Sequence, residues 1–253
     1  MADLEQVAQS LWIAESGIVN FYGFAYPTRC VIVRLDSGAL WVWSPVELTE
    51  RLRREVEALG PVTHLVSPNK LHHLYLASWR STFPGASLWG PVSTIRRHTK
   101  WTFQPPLDDH PPSAWIGEID QAWFRGSIYM DEIVFFHRSS RTVIVADLIQ
   151  TFTDDFLRAH WRPWQRALAA SGGIVAAKAQ APLDWRLSFL NRKPARAARD
   201  KVLRWNCERV VVAHGVWQRS DGSNFMRRSL SWLGGETEQV SQERGCGPFV
   251  MGG

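Results

Sequence analysis

Two stretches of this chain are written alike. Thr142-Val143-Ile144-Val145-Ala146 delivers Asp147, and Arg209-Val210-Val211-Val212-Ala213 delivers His214 followed by Gly215. Short apolar runs of this kind, rich in β-branched residues, read as buried strands. A polar residue at the carboxyl end of such a strand is where α/β architectures place ligand groups: the sheet holds it rigidly and the following loop leaves it open. Each instance has an ordinary reading as well, since an Asp there also caps helices and a lone His is commonly a satisfied structural residue.

A third piece precedes them. Val62 to Val66 reads as a short buried strand leading into the polar loop Ser67-Pro68-Asn69-Lys70, and the adjacent pair His72-His73 follows. On a regular element neighbouring histidines point apart, whereas on a loop or at a helix start both can turn toward one centre. Imidazoles with a carboxylate suit zinc or a similar borderline metal. Two surface histidines beside a helix start are the bland alternative.

The intervening sequence supplies the frame. Strands are expected at Ile18 to Ala25, Arg29 to Leu35 and Ala39 to Trp43, the last two joined by the turn Asp36-Ser37-Gly38. Leu48, Leu52, Val56 and Leu59 recur at helical spacing up to Gly60-Pro61. Leu71 to Ser81 continues as helix, and His98 to Ser113, rich in Pro and Asp, as an irregular loop. Further strands are predicted at Ala114 to Phe124, Glu132 to His137 and Thr142 to Ala146. A helix over Asp154 to Ala170 is interrupted by Pro163, a basic helix runs from Asn191 to Arg204, and a last helix spans Asp221 to Leu233. Strands followed by helices, twice over, fit two sheets with helices outside. The reading is therefore one domain over residues 1–233 and a flexible tail over 234–253.

Composition narrows the function classes. The chain has 253 residues, 45% of them apolar, and a net charge of +5, too modest to argue for nucleic acid and compatible with an anionic small molecule. Three cysteines, Cys30, Cys207 and Cys246, have no paired spacing, which points to a reducing compartment rather than a disulfide framework. The acidic amino terminus and the lack of an apolar run of about 18 residues lead us to expect a cytoplasmic protein with no membrane partner. Fourteen tryptophans are unusually many. An indole is best buried where its N–H finds a partner, so some are expected to line a cleft.

The run Val62-Thr63-His64-Leu65-Val66-Ser67-Pro68-Asn69-Lys70-Leu71-His72-His73 resembles the strand and loop that carry the H-x-H-x-D-H signature of metallo-β-lactamase-fold hydrolases. Laid on that signature, Pro68 and Lys70 take the places of its first two histidines, His72 that of its aspartate, and His73 matches its last histidine. The segment Ala122-Trp123-Phe124-Arg125-Gly126-Ser127 resembles the loop supplying another histidine, with Trp123 in its place. Asp147 falls where the superfamily keeps its bridging aspartate and His214 where it keeps its final histidine. Ser67 to His73, His137 to Thr142 and Ala146-Asp147-Leu148 also resemble a family of this superfamily known as a domain of unknown function.

The resemblance implies a four-layer αββα sandwich and a reduced site. All three histidines of the first metal are replaced, so at most one divalent ion is expected. Zinc comes first, with iron or manganese as alternatives, held by His73, Asp147 and His214 with His72 beside them. It implies a mononuclear hydrolase of an ester, lactone or thioester using a metal-activated water, with Asp147 and Lys70 in catalytic roles, Lys70 facing a developing oxyanion or a substrate carboxylate. A non-catalytic binding protein on the same fold is the alternative. His64 and His137 read as structural, and the cations Arg192 to Arg204 as a solvated helix face.

Overall fold

The computed structural model describes residues 4–234. Ten strands form two sheets. In the first, β1 (Leu4–Ala8), β2 (Leu11–Phe21), β3 (Phe24–Arg34), β4 (Leu40–Trp43), β5 (Val62–Val66) and β6 (Ser87–Trp89) lie in chain order. The second runs β10 (Arg209–Val212), β9 (Thr142–Val145), β8 (Glu132–His137), β7 (Ile119–Phe124). The first three pairings of the six-stranded sheet are antiparallel. The next two are parallel, made through crossover helices α1 (Glu50–Leu59) and α2 (Leu76–Thr82).

Strand β4 shows how the layers form. Trp41 and Trp43 point to one face, packing with Leu11 and Val31 against Ile119, Phe135, Ile144 and Val211 of the opposite sheet. Leu40 and Val42 point to the other, onto Leu52 and Val56 of α1 and Leu76 and Trp79 of α2. Helix α7 (Lys193–Arg204) lays Ala195, Ala198 and Val202, and α8 (Gly222–Ser229) lays Phe225 and Met226, over the far face of the second sheet. This is the αββα sandwich. Helix α1 begins where Thr49 Oγ1 accepts from the Leu52 amide at 3.2 Å. Between α4 (Asp154–His160) and α5 (Pro163–Gly172), Pro163 takes the first helical position, where its missing N–H costs nothing.

Several expectations change. The strand expected at Ile18 to Ala25 is interrupted by a hairpin turn at Tyr22-Gly23, with φ of 49° and 85°. A two-residue turn with both φ positive favours Asn or Gly first, and Tyr22 disguises it. Segment 71–75 stays irregular before α2 starts at Leu76. The basic helix is less solvated than its sequence suggests. Arg192 lies over the Trp232 ring, Arg196 donates to Leu233 O, Arg199 pairs with Asp200, and Lys201 reaches Asp109 O. Nor do all buried indoles find acceptors: among the described residues Nε1 of Trp41, Trp43 and Trp115 has no hydrogen-bond partner. Edge-to-face packing of Trp41 on Phe135 and Trp115, at 5.0 and 6.1 Å, takes its place. Cys30 and Cys207 are buried free thiols, while Cys246 and residues 235–253 of the expected tail lie outside the described residues. No helix among the described residues is long and apolar enough to cross a membrane.

His137 ends β8 in a hydrogen-bonded corner, as its sequence context suggests. Its Nδ1 lies 2.7 Å from Ser140 Oγ and its Nε2 3.1 Å from Ser139 Oγ. Burial pushes its pKa down to about 4. Between pH 6.5 and 4 the unfolded chain therefore binds a proton that the folded chain refuses, and stability falls as pH falls. The loss from this residue alone should approach about 3 kcal/mol near pH 4. Urea denaturation of wild type and His137→Asn across this range should show a shallower pH slope in the variant, whatever its absolute stability.

Candidate metal centre

The parallel pairing of β9 and β10 sets two of the site's side chains. Thr142 pairs with Arg209 and Val145 with Val212, and Ala213 N donates to Val145 O at 3.0 Å. Asp147 and His214, each two residues beyond its strand, therefore emerge side by side. The third comes from the first sheet, where the loop after β5 brings His72 across the seam. Ligand atoms of His72, Asp147 and His214 all lie within 4.8 Å of one another. His72 Nε2 is 3.1 Å from Asp147 Oδ2 and His214 Nε2 is 3.5 Å from Asp147 Oδ1.

Each of the three is oriented from behind. His214 Nδ1 is 2.7 Å from Pro27 O, a carbonyl that can only accept, so Nδ1 carries the proton. Nε2 is thereby turned to Asp147 Oδ1, where a protonated ring donates to the carboxylate and a neutral ring offers its lone pair to a bound cation. His72 Nδ1 is fixed by Ser44 Oγ at 2.7 Å. Asp147 accepts from Asn69 Nδ2 at 2.9 Å and Gln150 Nε2 at 3.1 Å. Burial raises its pKa, but the imidazoles of His72 and His214 outweigh this and hold the carboxyl well below its usual range. Two imidazole nitrogens and a buried anionic carboxylate, with outer hydrogen bonds that fix both rings, are a donor set that fits a divalent ion of the zinc type.

Behind Asp147 sits a residue that the sequence reading passed over. Glu132 is fully buried and accepts from the amides of Ala146 and Asp147 at 2.9 and 2.8 Å and from the same Asn69 Nδ2 at 2.9 Å. Burial, then the nearby Asp147, pushes its carboxyl up to about 8. A glutamate opening a strand whose middle, Ile133 to Phe136, is apolar was the available signal.

His73 is a correction. It does not join the group that the resemblance assigned to it. Its ring packs on His98 at 4.5 Å, and burial, with His98 and Arg97, pushes its pKa down to about 4. His72 is the loop histidine that turns to Asp147, because Asn69 Oδ1 accepts from the Leu71 and His72 amides and closes a turn that points it inward. Lys70 is directed elsewhere too: its ammonium donates to Tyr129 O and lies 4.7 Å over the Tyr129 ring. Trp123 Nε1 donates to Asp131 at 2.8 Å, and Pro68 O accepts from Ile133 N at 2.9 Å. The space beside Asp147 thus belongs to Asn69 and Glu132 rather than to Lys70 and Trp123. His64 accepts from Trp89 Nε1 at 3.2 Å and is structural.

The three candidate ligands lie at the floor of a cleft of about 800 Å³, between the β2–β3 hairpin on one side and α5 with α6 (Leu183–Leu187) on the other. Gly215 follows His214 in a tight turn against Thr151. Its φ is +101°, and a Cβ there would lie 2.2 Å from Thr151 O.

Sandwich and site together define a metallo-β-lactamase fold with a candidate three-ligand metal centre. The chain belongs to the family described as Domain of unknown function (DUF4336), whose model matches residues 9–160, a segment that contains His72 and Asp147 but ends before His214. No curated protein matches the chain. Among solved structures it is similar to a metallo-β-lactamase from Pontibacter korlensis, at 14% identity and a TM-score of 0.58 over 93% of this chain and 100% of that one. It is also similar to the metallo-β-lactamase FIM-1 from Pseudomonas aeruginosa in its mono-zinc form, at 11% identity and TM-score 0.58, covering 92% and 94%. A third likeness, to the metal-soaked Flv1 flavodiiron core from Synechocystis sp. PCC6803, has 11% identity and TM-score 0.61, covering 95% of this chain and 62% of that one. At these identities the likeness is one of fold.

Gly215→Ala should shift His214 and, by the usual cost of disturbing an outer-shell support, lower metal affinity about 10- to 100-fold. Zinc titration by calorimetry of the folded variant measures this. An unchanged affinity would show that His214 does not depend on that turn.

Proposed function

We propose that this chain is a mononuclear metal-dependent hydrolase acting on an ester, lactone or thioester. One observation carries the reading. His214, its Nδ1–H committed to Pro27 O, turns Nε2 to the carboxylate of Asp147, and ligand atoms of His72, Asp147 and His214 converge within 4.8 Å of one another at the floor of a cleft. His72, Asp147 and His214 would hold the ion, three protein donors where a closed structural zinc site has four. When bound, the ion supplies Lewis acidity and brings the pKa of water toward about 7, enough for these substrates without a strong separate base.

The remaining work falls to the chain's own residues. Ser44 and the Pro27 carbonyl fix the two rings, so that neither Nε2 turns away. Asn69 and Gln150 hold one carboxylate oxygen each. The hairpin and α6 walls screen the reacting carbonyl from bulk water. Asp147 keeps the ligand role here. The catalytic role expected of Lys70 is not carried forward, because its ammonium is engaged at Tyr129. With Pro68, Lys70 and Trp123 all committed elsewhere, nothing at those positions gathers a second ion. We therefore propose one metal per chain, zinc in the first instance.

Elemental analysis of untagged protein should return one divalent ion per chain. His72→Ala and Asp147→Ala should reduce it to none, and His73→Ala should leave it. Two ions per chain would defeat the one-metal site. Turnover of an ester, lactone and thioester panel should be lost with a chelator and restored by metal. One bound ion with no turnover across the panel would favour the binding-protein reading instead.

A further inference from the structure

We infer that the cleft above this site takes an amphiphile with a single polar end and an unbranched apolar chain, so that the substrate is a medium- or long-chain acyl compound. The inference rests on the reading of His72, Asp147 and His214 as the seat of the polar end. Polar groups that line the cleft are concentrated around this floor, where Ser44, Gln150 and the three ligands converge. From there outward apolar side chains predominate, with Asn20, Arg97, Ser171 and Asp184 as polar exceptions. The hairpin contributes Val19, Phe21 and Phe24, and the helices opposite contribute Leu168, Leu183 and Leu187.

Two features distinguish this from a buried core. Phe24 and Tyr26 are packed from behind against Trp161 and Phe152, with ring centroids 4.9 and 5.4 Å apart, so the inner wall is rigid. The outer wall is left wet: Leu168, Leu183 and Leu187 are 54%, 42% and 67% exposed. Large apolar side chains around a cleft that already holds a polar centre mark a ligand site. Their run from floor to rim asks for a ligand apolar along its length. Of the two arginines that line the cleft, Arg29 is already engaged by Glu15, Val212 O and Gly215 O, so Arg97 is the cation left to a ligand's single polar end.

Displacement of a fluorescent undecanoic acid by straight-chain carboxylic acids of four to twelve carbons, below their micellar concentrations, tests the inference. Affinity should rise about three- to fourfold per added methylene until the chain reaches the rim, as burial of each methylene implies. Leu168→Glu and Leu183→Glu, at partly exposed positions that should not disturb folding, should each cut the preference for decanoate over butanoate about tenfold. The same series run on Asp147→Asn separates the two claims. A chain-length slope that persists there without bound metal upholds the acyl cleft even if the metal reading fails. A flat series in wild-type protein with its metal bound would overturn the acyl cleft and leave the hydrolase reading standing.

Discussion

The in-register parallel pairing of β9 with β10 is the constraint on which the rest depends. Because Val145 lies opposite Val212, residues two steps further along both chains must emerge at the same edge of the sandwich. A slip of one residue would turn the alternating faces of β10 over and take His214 to the wrong side of the sheet. The register is held from outside the strands as well. Arg29 on β3 donates to Val212 O and Gly215 O, and Thr151 N donates to His214 O at 3.1 Å. The end of β10 is thus tied to the first sheet and to the segment after Asp147.

Asp147 gathers a second layer of control. Asn69 spends one amide group on two carboxylates and its carbonyl oxygen on two backbone amides of the histidine loop. One side chain therefore sets both the carboxylate and the turn that aims His72. Glu132 grips the amides of Ala146 and Asp147 from within the sheet. A buried carboxyl so placed is costly unless its hydrogen bonds are met, and here they are met by the segment that presents Asp147 and by Asn69.

Much of this was legible in the sequence. The strands Val62–Val66 and Glu132–His137 and the break at Pro163 are local signals of period, length and missing N–H, and they fall where such signals put them. Asp147 and His214 were visible because a polar residue after an apolar run stands out. The choice between His72 and His73 was not visible. Alignment to a spaced signature favours His73, yet the turn that Asn69 closes through its side chain rotates the loop by one residue, and no spacing rule carries that information. Glu132 was missed for the related reason that its partners are backbone amides fourteen and fifteen residues away. The hairpin at Tyr22-Gly23 escaped because a tyrosine occupies a conformation usually given to Asn or Gly.

The same strand pairing has a consequence for the chain as it is made. β9 ends at Val145 and β10 begins only at Arg209, with four helices between them. During synthesis, which adds about 5–20 residues per second, β9 has β8 on one side and nothing on the other for several seconds. Thr142, Val143, Ile144 and Val145 are then an uncharged, β-prone edge, the kind that recruits strands from other chains. The flanking Arg138, Arg141 and Asp147 are charges placed where they discourage such pairing. Asp147, a candidate metal ligand, is thus also one of the charges that bound this edge.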